Sequence, residues 1–255
     1  MMRWALIFGG LLSLCAKAAF AVTIYLTAGT TWTVPSDWNS QQNTVRIIGA
    51  GGAGAICFDI RSFGGGGGAY SASTNFNFTP GATVNISFPN TSLGLTWFQT
   101  STTLAAQNGE TTPGGGCSPT RGGLAANGFG SVKFSGGDGG KGDGGGAGVG
   151  SGGGAAGPNG NGAASLINSG IGGAADAGFG GAGGTGNAGP PCNGGNGTEF
   201  DASHGSGGGG GSAADGHCLG VGGNYGGGGG FQVAGGPALI IINYTPRRRT
   251  SSGVF

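Results

Sequence analysis

The octapeptide Phe179-Gly-Gly-Ala182-Gly-Gly-Thr185-Gly186 belongs to a glycine-rich stretch, residues 136–230, that decides how the rest of the chain is interpreted. Its non-glycine residues recur at every third position, and Gly136-Gly-Asp138-Gly-Gly-Lys141 repeats the pattern. This period is neither the 3.6 of an α-helix nor the 2 of a β-strand. It fits an extended left-handed helix with three residues per turn, which makes no internal hydrogen bonds and must bond to neighbouring segments.

We therefore predict that residues 136–230, together with the shorter runs 49–54 and 64–68, form a bundle of polyglycine-II-like rods. Glycine on two of the three faces of each rod would allow neighbouring rods to approach closely. Disorder is the main alternative, because glycine loses more backbone entropy on ordering than any other residue. A collagen helix is disfavoured, since the triplet register breaks at Ser151 and the chain has only 10 prolines.

The composition restricts the possible partners. Of the 255 residues, 69 are glycine, 7% are charged, and the formal net charge is +1. Glycine gives a core no side chains, so apolar residues elsewhere must supply it. The charge balance gives no indication of binding to nucleic acid, to an acidic substrate or to an anionic membrane.

The first 21 residues have the outline of a secretory signal peptide. Met1-Met-Arg3 precedes an apolar run from Trp4 to Leu14, and Ala19-Phe20-Ala21 resembles a cleavage site. An apolar helix retained as an anchor is the alternative. A lipoprotein at Cys15 is less consistent with the bulky Leu14 before it.

Removal of the signal would leave four cysteines, Cys57, Cys117, Cys192 and Cys218. An even number in an exported chain favours two disulfides, for which three connectivities are possible. We favour Cys192 with Cys218 and Cys57 with Cys117.

Short alternating or apolar stretches predict a mainly β module at the two ends of the chain. The predicted strands cover residues 23–27, 31–34, 44–48, 69–78, 83–88, 95–99, 103–106, 129–134 and 237–244. The last is continuously apolar, which is typical of a strand buried in the middle of a sheet. The resulting organisation is a signal peptide or anchor (1–21), a β base with short glycine hairpins (22–135), a glycine-rich bundle (136–236), a closing strand (237–246) and a tail (247–255).

Several motifs occur in an order that resembles a known family. They are Thr31-Trp32-Thr33-Val34-Pro35, the strand-to-glycine junction at 45–54, residues 64–70, Phe78-Thr79-Pro80-Gly81, residues 224–230 and residues 235–244. Together they resemble the glycine-rich domain of bacteriophage tail-fibre and tail-tip adhesins and of some exported bacterial proteins. The export signal and the absence of a long fibre depart from the phage pattern.

The resemblance implies a β-sandwich-like base that carries a polyglycine-II bundle, with loops between rods that bind a cell-surface receptor, either protein or glycan. The loops would be residues 56–63, 117–121, 158–169, 190–206 and 212–218. The predicted contact residues are Phe58, Arg61, Phe63, Arg121, Leu166, Ile167, Glu199, Phe200, Asp201, His204, His217 and Tyr225.

Four of these residues are aromatic and lie beside glycine, namely Phe58, Phe63, Phe200 and Tyr225. We expect them either to be exposed contact residues, since rigidly held aromatics bring large area at low entropy cost, or to pack on one another and staple the loops.

No motif indicates catalysis or a cofactor. No glycine run ends in Gly-Lys-Ser/Thr, as a phosphate loop requires, and no Gly-x-Ser-x-Gly elbow precedes a helix. Cys192, His204, His217 and Cys218 lack the close ligand pairs of structural zinc sites. We therefore expect a non-enzymatic surface recognition protein, which could self-associate or join phage tail proteins. The alternative is a secreted structural protein that forms fibres or matrix.

Overall fold

The structure, a computed structural model, describes residues 20–56, 62–112, 118, 120–142, 149–186, 191–212 and 219–247. It is mainly β, with strands in 27% of the chain, and no helix in the described ranges reaches seven residues. None of the helices described is long and apolar enough to cross a membrane. The predicted signal peptide lies almost entirely outside the described residues.

The described residues form twelve strands. They are β1 (Val22–Leu26), β2 (Thr31–Thr33), β3 (Asn43–Ile48), β4 (Ala55–Ile56), β5 (Ser62–Phe63), β6 (Tyr70–Thr74), β7 (Thr83–Ser87), β8 (Leu95–Phe98), β9 (Leu104–Gln107), β10 (Val132–Phe134), β11 (Lys141–Gly142) and β12 (Leu239–Tyr244). Two 3₁₀ turns, Ala125–Asn127 and Asp176–Gly178, complete the regular structure.

The largest sheet is antiparallel, with five strands in the order β1-β12-β3-β6-β10. The closing strand β12 therefore lies inside the sheet between β1 and β3, which confirms the prediction made from its continuous apolar sequence. Its side chains alternate between two cores: Ile240 and Ile242 enter one, and Leu239 and Ile241 enter the other. A strand buried on both faces needs apolar residues at successive positions.

The first core lies between this sheet and a second antiparallel sheet of order β2-β7-β8-β9. Trp38 and Phe98 are fully buried in it, and Trp38 contacts the rings of Trp32 and Tyr244 at centroid distances of 5.5 and 5.2 Å. These large rings supply apolar area that the glycine-rich part of the chain cannot provide.

The glycine segments cover the opposite face of the five-stranded sheet. There Ile48, Tyr70, Leu239 and Ile241 contact Ala155, Ala156, Ala175 and Tyr225. The small side chains of the three alanines let the glycine-rich backbone lie close to the sheet.

Backbone hydrogen bonds join each glycine segment to several others. Along residues 64–69, successive N–H groups donate to three different segments in turn, and the sequence of partners repeats after three residues. Gly64 and Gly67 donate to Gly140 and Gly137, Gly65 and Gly68 to Gly229 and Gly226, and Gly66 and Ala69 to Glu110 and Gln107. A Cβ on Gly65 would overlap the carbonyl oxygen of Gly52, so this packing excludes a side chain there.

A small third sheet, of order β11-β5-β4, lies at the end of these segments away from the large sheet. Phe63 in β5 pairs with both Ala55 and Lys141. The sequence had suggested a loop through residues 62 and 63, but this pairing makes them a central strand.

Candidate functional site

Apart from Arg121, the predicted contact residues that the structure describes lie in two groups at opposite ends of the glycine segments. Residues 206–212 connect the two ends: the Ser206 N–H donates to the Glu199 carboxylate, and the Ser212 N–H donates to the carbonyl of Gly170. Residues 150–156 also connect the two ends. The Gly150 N–H donates to Ser62 Oγ in the small sheet, and Ala156 packs on the large sheet. The predicted loops 158–169 and 190–206 therefore each contain parts of both ends.

The first group consists of Glu199, Phe200, Asp201, His204 and Tyr225. Together with Tyr25, which the sequence analysis did not single out, it forms what we call the base cluster. Its centre is a three-ring stack in which His204 lies between Tyr25 of β1, at a centroid distance of 3.7 Å, and Tyr225, at 5.7 Å, with interplanar angles of 4° and 3°. The Tyr25 hydroxyl donates to the carbonyl of Phe200 at 3.3 Å. The stack therefore fixes the 198–205 turn to the edge of the large sheet.

Asp201 organises the turn electrostatically. Its carboxylate accepts hydrogen bonds from the Ser203 N–H at 2.7 Å and the His204 N–H at 2.9 Å, and it contacts His204 Nδ1 at 2.9 Å. The Ser203 N–H bond is the main reason that the pKa of Asp201 falls to about 2. Burial raises the pKa of Tyr25 to about 12, and the bond and charge of Asp201 act in the same direction.

A second carboxylate, Glu199, is partly enclosed by glycine backbone. Burial raises the pKa of Glu199, and the charge of Asp176 adds to this rise, while the Ser206 N–H opposes it. Asp176 itself is fully buried and accepts bonds from the N–H groups of Asn159 and Gly160 at 2.6 and 2.9 Å. Sequence reasoning missed Asp176, although it was an acidic residue within a glycine and alanine run.

The second group lies at the far end. The Asn168 N–H donates to the Lys141 carbonyl at 2.9 Å, and Lys141 pairs with Phe63, so the 166–169 turn lies beside the small sheet. Ser212, bonded to Gly170, also bridges to Leu219. Exposed aliphatic side chains on these elements form what we call the far-end surface: Ile56, Leu166, Ile167, Ile171 and Leu219.

Leu166 and Ile167 are the most exposed members of this surface, at 67% and 68%. Arg121, also predicted as a contact residue, lies along the side of the segments, where its Nε is 3.4 Å from the Glu110 carboxylate. The prediction grouped Arg121 with the loop tips, but this ion pair lies beside residues 64–69, since the Gly66 N–H donates to the Glu110 carbonyl.

The expectation that Phe63 and Tyr225 are exposed is wrong. Phe63 is fully buried in the small central strand, with the Gly150 backbone packed against it, and Tyr225 is 9% exposed because His204 and the large sheet cover it. Phe200 is half-buried, with the Arg46 guanidinium 5.9 Å from its ring centre. The rings of Phe200 and Tyr225 contact Arg46 and His204, so mutual packing of the four aromatic residues stays a prediction.

Several predicted residues lie outside the described part of the chain, namely Phe58, Arg61, His217, Cys57, Cys117 and Cys218. Cys192 is disulfide-bonded. The two pairings proposed from the sequence stay predictions.

Within the described ranges, no three His, Cys, Asp or Glu side chains are grouped so as to hold a metal ion. Comparison with known proteins found no matching family model and no similar curated protein.

Proposed function

We propose that this chain is a non-enzymatic recognition protein that binds a cell-surface receptor through the far end of a polyglycine-II bundle. In this proposal the two packed sheets are the base, the glycine segments are the rigid support, and the turns beyond them make the contact. It places the protein outside the cell, at a cell surface or at a virion tail tip, in line with the resemblance to phage tail adhesins and with the export signal.

The repeat of hydrogen-bond partners along residues 64–69 supports the bundle. A helix with three residues per turn directs successive N–H groups to three neighbours about 120° apart and returns to the first neighbour at the fourth residue. Residues 152–156 follow the same rule: Gly152 and Ala155 donate to the 207–210 segment, while Gly153 and Ala156 donate to the 65–68 segment. A support held this way would lose little entropy on binding.

The observation that carries the proposal is the exposure of Leu166 and Ile167 at the end of this support. Large aliphatic side chains on neighbouring exposed elements are typical of surfaces that bind a partner. The Asn168 N–H bond to the Lys141 carbonyl anchors the backbone of the turn that presents them.

Replacement of both side chains should weaken binding. We expect Leu166→Ser with Ile167→Ser to weaken binding to receptor-bearing cells by at least about tenfold, because burial of one such side chain contributes about 1.5–3 kcal/mol and 1.4 kcal/mol is a factor of ten. The measurement is flow cytometry of the labelled mature protein on a panel of intact bacteria.

Phe179 provides a matched control, since it is 71% exposed but follows the 3₁₀ turn at the base. Phe179→Ser should bind like the wild type, and thermal unfolding should show that all variants are folded. Equal loss in both variants, or a wild type that binds none of the cells, would contradict the proposal. Electron micrographs dominated by long fibres would favour the structural alternative.

A further inference from the structure

A cavity of about 510 Å³ lies between the β base and the glycine segments, and none of the residues in the two groups described above lines it. Three stretches form its walls: residues 50–53 after β3, residues 88–90 after β7, and residues 234–238 before β12. Thr27 and Thr111 complete the lining. Its volume is within the range of about 300–1,000 Å³ that is usual for small-molecule sites.

The walls carry no charge. None of the lining residues is Asp, Glu, Lys, Arg or His, so a charged ligand would lose water without gaining a counter-charge. Phe88, Pro89 and Pro237 supply apolar ring surfaces. The ligand that suits these walls is uncharged and has an apolar face.

Polar groups remain available at the rim. Among the described residues, the Asn90 carboxamide and the Thr27 hydroxyl make no hydrogen bond. Thr111 Oγ1 accepts a bond from the Ala53 N–H at 3.2 Å, which leaves its own hydrogen free to donate. The rim therefore offers two hydroxyls and one carboxamide, all uncharged.

The wall backbone is already paired and therefore rigid. The Gly51 N–H donates to the Gly236 carbonyl at 2.9 Å, the Thr112 N–H donates to the Ala53 carbonyl at 3.0 Å, and Asn108 Nδ2 donates to the Pro89 carbonyl at 2.7 Å. An extended peptide binds by adding a strand to free backbone groups, and the paired groups here are not free for that mode.

We propose that this cavity is a binding site for a neutral saccharide of one or two sugar units. A neutral sugar ring has an apolar C–H face, which would lie on Phe88 and the prolines. Its hydroxyl groups both donate and accept hydrogen bonds, which the Asn90, Thr27 and Thr111 side chains would satisfy. Sugars that carry carboxylate, sulfate or phosphate are disfavoured by the uncharged walls.

The first test is binding of the mature protein to an array of neutral and acidic glycans. Saturation-transfer NMR then measures binding of lactose, maltose, cellobiose and chitobiose. The acidic counterpart of lactose in this experiment is 3′-sialyllactose. We expect at least one neutral glycan to bind. We expect Asn90→Ala and the cavity-filling Ala234→Trp each to weaken that binding at least about tenfold. Asn85→Ala, an exposed asparagine on β7 outside the cavity, should not change it.

The site is separate from the far-end surface, so Leu166→Ser with Ile167→Ser should leave saccharide binding intact. The two proposals can therefore fail independently of each other: loss of cell binding in this variant tests the far-end surface, and glycan binding tests the cavity. Absence of any neutral glycan binding, binding that persists in Ala234→Trp, or a preference for the acidic glycans would overturn the inference. Circular dichroism should confirm that each variant is folded.

Discussion

Gly173 shows at the scale of one residue why the segments require glycine. Its N–H donates to the Gly152 carbonyl at 2.9 Å, while the Ala163 N–H donates to the carbonyl of the next residue, Ala174. A Cβ on Gly173 would overlap the Ala163 carbonyl oxygen. The clash is with backbone, which cannot move aside without breaking bonds to other segments.

Gly173→Ala should therefore destabilise the fold by about 1–3 kcal/mol, as is typical of overpacking. Ala174→Ser is a matched neighbour, because Ala174 is half-buried and already carries a Cβ; this change should cost less than about 0.5 kcal/mol. Urea unfolding of both variants measures the difference. Equal free energies of unfolding for the two variants would show that the close approach of the Ala163 carbonyl does not exclude a side chain at position 173.

At the scale of the element, the 198–205 turn is held by the stack of Tyr25, His204 and Tyr225. His204→Ala removes the central ring and should lower the free energy of unfolding by about 0.5–1.5 kcal/mol, the usual contribution of an aromatic pair. His204→Phe keeps a flat ring and loses only the contact with Asp201, so it should retain most of the stability. Chemical denaturation of the three proteins tests this, and the idea fails if the Phe variant is as unstable as the Ala variant.

The β elements were the most predictable part of the chain. Six consecutive residues of β12 lack any charge, and the pairing of β1 with β12 places the first and last strands in one sheet, as the sequence indicated. The burial of Phe63 was not predictable, because the segments around it, among them its strand partner Lys141 and the backbone of Gly150, are remote in sequence. The same holds for His204 and Tyr25, whose stacking arises only once the glycine segments return the 198–205 turn to β1.

The sequence could suggest which residues to propose as contact residues, but it could not indicate where in the fold they lie. Leu166 and Ile167 were recognised because large aliphatic residues are unusual within a glycine-rich run. Nothing in the residues around Glu199, Phe200, Asp201 and His204 indicated that they lie at the base. The end of the bundle at which a turn lies depends on which neighbouring segments accept the hydrogen bonds of the segments beside it. A triplet period indicates that a segment has three sets of partners and leaves their identity open.

At the scale of the whole molecule, the five-stranded sheet has a core on each face, and three tyrosines belong to these cores or pack against them. Tyr70 and Tyr25 are on the side of the glycine segments, and Tyr244 is on the side of the second sheet. Burial is the main cause that raises the pKa of each to about 12, and for Tyr244 the bond from its hydroxyl to Asp37 at 3.0 Å adds to the effect.

These tyrosines should make the fold unstable in alkali. An unfolded tyrosine ionises near pH 10, and in the folded state it keeps its proton up to about pH 12. Between these values the unfolded state binds fewer protons than the folded state, so the free energy of unfolding falls as pH rises. Urea midpoints measured from about pH 8 to 12 should be level below about pH 10 and then decline. The variant with Tyr25, Tyr70 and Tyr244 each changed to Phe should decline less steeply, whatever its stability at neutral pH; the same slope in both proteins would show that these hydroxyls are not the cause.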